Sequence, residues 1–122
     1  MKRLFYIIPL CTLMYACTQE EKFKSVSAEE FASVISDTTV QILDVRTPEE
    51  HSEGHIPGSL NINVNEQSFE LDALDALDKD RPVALYCRSG RRSKKAAETL
   101  TNNGFQVIEL STGYNGWKEV SF

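Results

Sequence analysis

The sequence predicts an α/β domain in which a central, mostly parallel sheet is covered by helices on both faces. The chain has 122 residues, which is the length of one domain. Short apolar runs of strand length alternate with segments of helical pattern, and this alternation is typical of a parallel sheet with crossover helices. No internal repeat or low-complexity tract interrupts the alternation.

The first residues have a pattern of their own. Residues 1–3 are a short basic start, and residues 4–16 are apolar. Such a stretch is too short to span a membrane comfortably and has the layout of a secretory signal. It ends at Ala16-Cys17, which resembles the lipobox of bacterial lipoproteins, although Met14 and Tyr15 replace the usual residues. An ordinary signal or an uncleaved anchor is the alternative.

This pattern predicts the organisation of the whole chain. We expect a lipoprotein-type signal peptide at residues 1–16, lipid on Cys17, a polar tether over residues 17–25 and a folded domain over residues 26–122. The protein would then be anchored in the cell envelope through its lipid. The outer membrane is the expected location, with either periplasmic or surface display.

Capping boxes predict the starts of the first two helices. Residues 27–30 and 47–50 both have a hydroxyl residue followed three positions later by glutamate. The second box has Pro48 at the first helical position, which favours a helix start, and Gly54 ends that helix. Further helices are predicted over residues 68–77 and 93–104, and strands over residues 40–45, 60–64, 82–86 and 105–110.

Charged and polar residues follow the first predicted strand. Asp44 and Arg46 lie two positions apart at its end, where we expect a salt bridge that holds the loop. His55 stands in the turn GHIPGS and could be a base or a metal ligand. Because no second ligand stands at suitable spacing, we expect His55 to be a structural hydrogen-bonding residue and predict no metal site.

The most informative stretch is the loop after the predicted strand 82–86. It begins with Cys87 and continues as Arg88, Ser89, Gly90, Arg91, Arg92 and Ser93 before a helix. Gly90 allows a tight curl, and backbone N–H groups at a helix start can then point at one anion. A cysteine held there ionises readily and becomes a nucleophile. The alternative is a cysteine that only fills a buried space.

The loop CRSGRRS resembles the active-site loop of rhodanese-domain sulfurtransferases, and GHIPGS and the D-x-R at Asp44 and Arg46 resemble further motifs of that family. The C-terminal TGYNGW resembles the family's GG-x-x-A-W, with Thr112 and Gly116 as departures. The resemblance covers about residues 24–118. It implies a three-layer rhodanese-like fold of a single unit, with Trp117 as a core anchor.

The resemblance also implies an activity. Cys87 would take a sulfane sulfur from thiosulfate or polysulfide as a persulfide and pass it to cyanide or a thiol. Residues 88–93 would bind the substrate, with Arg91 directed at it and Arg92 bracing the loop. No cofactor is implied.

Two other functions stay open. Cysteine phosphatases and arsenate reductases of the same fold use Cys-x5-Arg, whereas here Ser93 stands at that position and Arg92 one position earlier. Because the loop after Cys87 is one residue shorter than Cys-x5-Arg, we expect it to enclose a smaller anion-binding space. A binding module without catalysis would not need the cysteine.

The net charge and the cysteine count limit which partners the chain is expected to have. The formal net charge is −5, so the chain lacks the basic surface expected of a nucleic-acid-binding protein. If Cys11 leaves with the signal and Cys17 carries lipid, Cys87 remains without a cysteine partner for a disulfide.

Overall fold

The computed structural model describes residues 22–120. The predicted signal peptide, the lipid on Cys17 and the first part of the predicted tether lie outside these residues. Within residues 22–120, no helix has the length and apolar character needed to cross a membrane.

Strands and helices alternate along the described chain. The strands are β1 (Lys24–Val26), β2 (Gln41–Asp44), β3 (Leu60–Asn61), β4 (Val83–Tyr86) and β5 (Val107–Leu110). The helices are α1 (Ala28–Ile35), α2 (Pro48–Glu53), α3 (Phe69–Ala76), α4 (Arg91–Asn102) and α5 (Gly113–Lys118).

The five strands form one sheet in the order β1-β5-β4-β2-β3, and every neighbouring pair is parallel. This confirms the predicted α/β fold with a parallel central sheet. All strands therefore end at the same edge of the sheet. Ligands in parallel sheets bind beyond this edge, and β4 brings Cys87 to its centre.

Side chains of β4 point alternately to two apolar cores, one on each face of the sheet. Val83, Leu85 and Cys87 pack in the core beneath α3 and α4. Ala84 and Tyr86 pack in the core that includes α1 and α5. Because β4 is buried on both faces, it has an unbroken apolar sequence rather than an alternating one.

The structure corrects the predicted boundary between tether and domain. Lys24 and Ser25, predicted as tether, pair with β5 as part of β1, and Phe23 packs against the α3/α4 core. The prediction missed this strand because it is a three-residue edge strand with Val26 as its only buried side chain.

Other boundaries differ by a few residues. The strand predicted over residues 60–64 ends at Asn61, although the amides of Ile62 and Val64 still donate to carbonyls of residues 44 and 45. Helix α4 begins at Arg91, two residues before its predicted start. In α3, Leu71 is 73% exposed.

The two predicted capping boxes have different outcomes. At the start of α2, Thr47 and Glu50 exchange both hydrogen bonds, so the box is complete. At the start of α1, the Ser27 hydroxyl accepts from the amide of Glu30, but the Glu30 carboxylate pairs with Lys24, 3.2 Å away. The predicted helix forms there with only half of the box.

Candidate active site

The centre of the site is the Cys87 thiol, directly after β4. Its side chain is only 1% exposed. The amide of Gly90 donates a hydrogen bond of 3.1 Å to the Cys87 sulfur. The Ser93 hydroxyl lies 3.5 Å from the same sulfur. The chain thus curls around the thiol, as the sequence predicts for an anion-holding loop.

These contacts favour the thiolate. Burial by itself raises the pKa of Cys87. Hydrogen bonds from the Ser93 side chain and from the backbone amides of Ser93, Gly90 and Ser89 outweigh it, so the pKa lies below that of an ordinary cysteine. Thiolates are the reactive form of cysteine, and this geometry therefore suits a nucleophile.

Two glycines allow the loop to close tightly. Gly90 has φ +105°, and a Cβ there would collide with the carbonyl oxygen of Ser111. Gly113 has φ +67°, and a Cβ there would collide with the carbonyl of Arg88. The amide of Tyr114 donates to the carbonyl of Cys87 at 2.8 Å. The start of α5 therefore lies directly against the active-site loop.

The three arginines of the loop have different surroundings. Arg92 forms a two-pronged ion pair with Glu50, at 2.7 and 2.9 Å, which ties α4 to α2. This pair lowers the pKa of Glu50 to about 2. Arg88 and Arg91 are exposed. The structure therefore places Arg92 as a brace and leaves two cations at the surface of the loop.

A pocket of about 210 Å³ opens beside the loop. Its lining combines basic and acidic side chains with one aromatic ring: Arg46, Arg88, Lys118, Glu50, Glu53 and Tyr114. Arg88, the residue after Cys87, thus faces a space that can hold a small polar molecule. Arg91 does not line this pocket.

Asp44 and Arg46 form a buried pair at the end of the neighbouring strand. Arg46 donates to both carboxylate oxygens of Asp44, at 2.9 and 2.7 Å, and its guanidinium also donates to the carbonyl of Gly54. Burial by itself raises the pKa of Asp44, but hydrogen bonds from Arg46 and His51 outweigh it and lower the pKa. Tyr86, whose pKa burial raises to about 12, also donates to Asp44.

The two histidines belong to this cluster rather than to the thiol. His51 Nδ1 donates to Asp44 Oδ2 at 2.9 Å, and His55 Nδ1 donates to the carbonyl of His51 at 2.8 Å. Their rings stack with centroids 3.7 Å apart. Sequence reasoning missed His51, because its partner Asp44 lies seven residues away on another element. Among residues 22–120, no group of three metal-ligating side chains occurs.

The two residues that depart from the family's C-terminal motif, Thr112 and Gly116, are sterically compatible with each other. A Cβ at position 116, where the family pattern has alanine, would collide with the side chain of Thr112. The Thr112 side chain thus occupies the space that a larger residue at position 116 would need. Trp117 packs edge-on against Phe31 in the α1/α5 core, with ring centroids 6.1 Å apart.

A family model and several known proteins are similar to this chain in sequence. A family model described as Rhodanese-like domain matches residues 27–120. Thiosulfate sulfurtransferase GlpE of Shewanella oneidensis is 33% identical over 100 residues, which cover 81% of this chain and 96% of that protein. A putative sulfur carrier protein, YrkF of Bacillus subtilis, is 37% identical over 94 residues, which cover 75% of this chain and 49% of YrkF.

Solved structures agree with these matches. A rhodanese-related protein from Thermoplasma volcanium superposes with a TM-score of 0.69 at 30% identity, covering 80% of this chain and 92% of that one. A rhodanese-like domain protein from Staphylococcus aureus gives a TM-score of 0.69 at 31% identity, covering 78% and 91%. Both the local sequence and the backbone path therefore resemble the same group of proteins.

Proposed function

The chain belongs to the rhodanese-like domain family, and on that premise we propose that it is a sulfurtransferase in which Cys87 carries the transferred sulfur. The observation that supports the proposal most directly is the environment of the Cys87 sulfur. The sulfur is buried and accepts a hydrogen bond from the Gly90 amide at 3.1 Å, and hydrogen bonds from the loop hold the pKa of the thiol below that of an ordinary cysteine.

In the first half-reaction the Cys87 thiolate attacks the outer sulfur of a donor such as thiosulfate. A sulfur–sulfur bond forms to Cys87, and the bond between the outer sulfur and the leaving group breaks. Sulfite leaves with the electron pair of that bond. The persulfide anion then lies near the loop amides, which stabilise its charge.

In the second half-reaction an acceptor attacks the terminal sulfur of the persulfide. Cyanide would leave as thiocyanate, whereas a thiolate would leave as a persulfide of its own. In each case the sulfur–sulfur bond to Cys87 breaks and the Cys87 thiolate is restored. Exposed Arg88 and Arg91 would attract anionic donors to the loop.

The contacts of Arg92 disfavour a phosphatase or an arsenate reductase. Both terminal nitrogens of Arg92 bind the carboxylate of Glu50, so this guanidinium is already engaged. Such enzymes need an arginine that clasps the oxyanion. A binding module without catalysis is disfavoured because it would not need a buried thiol with a lowered pKa.

The test is the intact mass of the purified protein after incubation with thiosulfate and removal of small molecules. We expect a gain of one sulfur atom that cyanide removes. The Cys87→Ser variant, which differs from the wild type only at position 87, should gain none and should remain folded. Sulfur transfer by this variant would refute the role of Cys87.

A failure to gain sulfur would be informative when the thiol still reacts with an alkylating agent. It would exclude thiosulfate as the donor, and polysulfide would be tried next. A protein that takes sulfur from neither donor would refute the proposed function, and phosphatase substrates would then be tested.

We also propose that the protein is anchored to the cell envelope through lipid on Cys17, on the strength of the sequence pattern at residues 1–17. Metabolic labelling with a fatty acid tests this. Label should appear in the wild-type protein and be absent from Cys17→Ser. Equal labelling of both proteins would refute the anchor.

A further inference from the structure

The pocket beside the active-site loop is lined by charges of both signs, which come from different elements. Glu50 and Glu53 belong to α2, whereas Arg88 belongs to the loop and Lys118 to α5. The pocket has a volume of about 210 Å³. Sites for drug-sized ligands measure about 300 to 1,000 Å³, so this pocket suits a smaller molecule, about the size of an amino acid.

Two of the charged side chains that line the pocket are already paired within the protein. The Arg46 guanidinium binds the Asp44 carboxylate at 2.7 Å, and the Glu50 carboxylate binds the Arg92 guanidinium at 2.7 Å. Each of these pairs is neutral as a whole. Arg46 and Glu50 therefore shape the pocket without offering it a net charge.

Three other charged side chains of the lining remain available to a bound molecule. Within residues 22–120, no ion pair involves Glu53, Arg88 or Lys118. All three side chains are exposed. The Lys118 ammonium lies 5.4 Å from the centre of the Tyr114 ring, which also lines the pocket. The pocket thus presents two cations and one carboxylate.

The backbone ties this pocket to the nucleophile. Arg88 directly follows Cys87, and the amide of Tyr114 donates to the carbonyl of Cys87 at 2.8 Å. The amide of Asn115, another lining residue, donates to the carbonyl of Arg88 at 3.0 Å. Because the Cys87 side chain is only 1% exposed, a reactant has to be held at the loop by groups other than the thiol.

We propose that this pocket binds the acceptor of the sulfur, and that the acceptor is a small amino-acid thiol, which carries an ammonium, a carboxylate and a thiol. This inference rests on the sulfurtransferase function proposed above. Arg88 and Lys118 bind the carboxylate of the acceptor, and Glu53 binds its ammonium. Anionic donors use the two cations alone, so one pocket serves both half-reactions in turn.

The transfer to such an acceptor balances without a further reactant. The acceptor thiolate attacks the terminal sulfur of the protonated Cys87 persulfide, and a new sulfur–sulfur bond forms. The bond between Cys87 and the terminal sulfur breaks, and its electron pair stays on Cys87. The hydrogen of the persulfide remains on the transferred sulfur. The products are the persulfide of the amino-acid thiol and the Cys87 thiolate.

The test compares four thiols as acceptors. The purified protein is first loaded with sulfur, and its intact mass verifies the loading. The thiols are cysteine, cysteine methyl ester, which lacks the carboxylate, N-acetylcysteine, which lacks the ammonium, and 2-mercaptoethanol, which lacks both. The rate constant for removal of the sulfur is measured for each thiol. Dividing the rate constant of a variant by that of the wild type cancels the intrinsic reactivity of each thiol.

Each variant should change the selectivity in its own way. Relative to 2-mercaptoethanol, Glu53→Gln should lower the rate constants for cysteine and its methyl ester by about two- to five-fold. Lys118→Gln should lower those for cysteine and N-acetylcysteine by a similar factor. Added salt should reduce both effects. Glu98→Gln and Lys79→Gln make the same charge changes at exposed positions outside the pocket, and should leave the selectivity unchanged.

The outcomes separate this inference from the function on which it rests. Protein that takes up no sulfur would refute the proposed function, and the inference with it, before any acceptor is added. Loaded protein that shows the wild-type selectivity in Glu53→Gln or in Lys118→Gln would overturn the inference alone. Both positions are exposed, so both variants should fold, and circular dichroism checks this.

Discussion

Two anions lie at the same edge of the sheet and are held in different ways. Asp44 ends β2, and Cys87 follows β4, the next strand in the sheet. The Asp44 carboxylate is bound by the Arg46 guanidinium at 2.9 and 2.7 Å. The Cys87 sulfur instead has a backbone amide and a hydroxyl as its neighbours.

The difference separates a structural anion from a reactive one. A buried carboxylate paired with a buried guanidinium is fixed in place, because removing either charge leaves the other buried without a partner. A sulfur held by neutral dipoles keeps its negative charge available for attack, and it can form a new bond without leaving an unpaired cation behind. The loop cations Arg88 and Arg91 are exposed at the surface of the loop.

The largest predicted effect concerns the structural anion. Asp44→Ala should lower the free energy of unfolding by about 3 to 5 kcal/mol, because Arg46 would be buried without its partner. Urea denaturation measures this. Asp75→Ala, an exposed aspartate on α3, is the matched control and should change stability by less than about 0.5 kcal/mol. Similar losses in both variants would contradict the assigned role of the pair.

The next effect concerns the loop that holds the thiol. Gly90→Ala should cost about 2 to 4 kcal/mol, because positive φ and the collision with the Ser111 carbonyl act together. Gly104→Ala is the control. It has φ +91° but open space around its Cβ, and should cost about 1 kcal/mol. We also expect a higher thiol pKa in folded Gly90→Ala, and an unchanged pKa would show that the loop amide is dispensable.

A smaller effect follows from the brace between loop and α2. The Arg92 guanidinium lowers the pKa of Glu50 to about 2, so the pair stabilises the fold above about pH 4.5 and loses this contribution as pH falls towards 2. Glu50→Gln should therefore be about 2 kcal/mol less stable than wild type at neutral pH, and this gap should shrink in acid. Denaturation at several pH values measures it. Glu49→Gln, an exposed neighbour, should show no such gap.

The smallest effect concerns the exposed cations. Arg88→Gln should raise KM for anionic sulfur donors a few-fold, with stability unchanged, because Arg88 lines the pocket beside the loop. Added salt should reduce the difference from wild type. Arg91→Gln should have a weaker effect, since Arg91 does not line that pocket. A larger effect at Arg91 would favour the prediction made from the sequence.

Much of the fold follows from short stretches of sequence. The apolar run of β4 and the complete capping box of α2 predict the α/β order, because strand burial and helix caps depend on neighbours within a few residues. Strand β1 was not predicted from the sequence, because it pairs with β5, whose residues lie more than 80 positions further along the chain.

The site also combines features that local sequence predicts with features that depend on contacts between distant residues. The sequence by itself determined the curled loop around Cys87, since Gly90 and the helix start are local features. Only the tertiary structure decided which groups meet that loop. Glu50 reaches Arg92 across 42 residues, and Glu109 reaches Ser93 across 16. Such partners depend on strand order and on which face each side chain takes, and neither is encoded in local spacing.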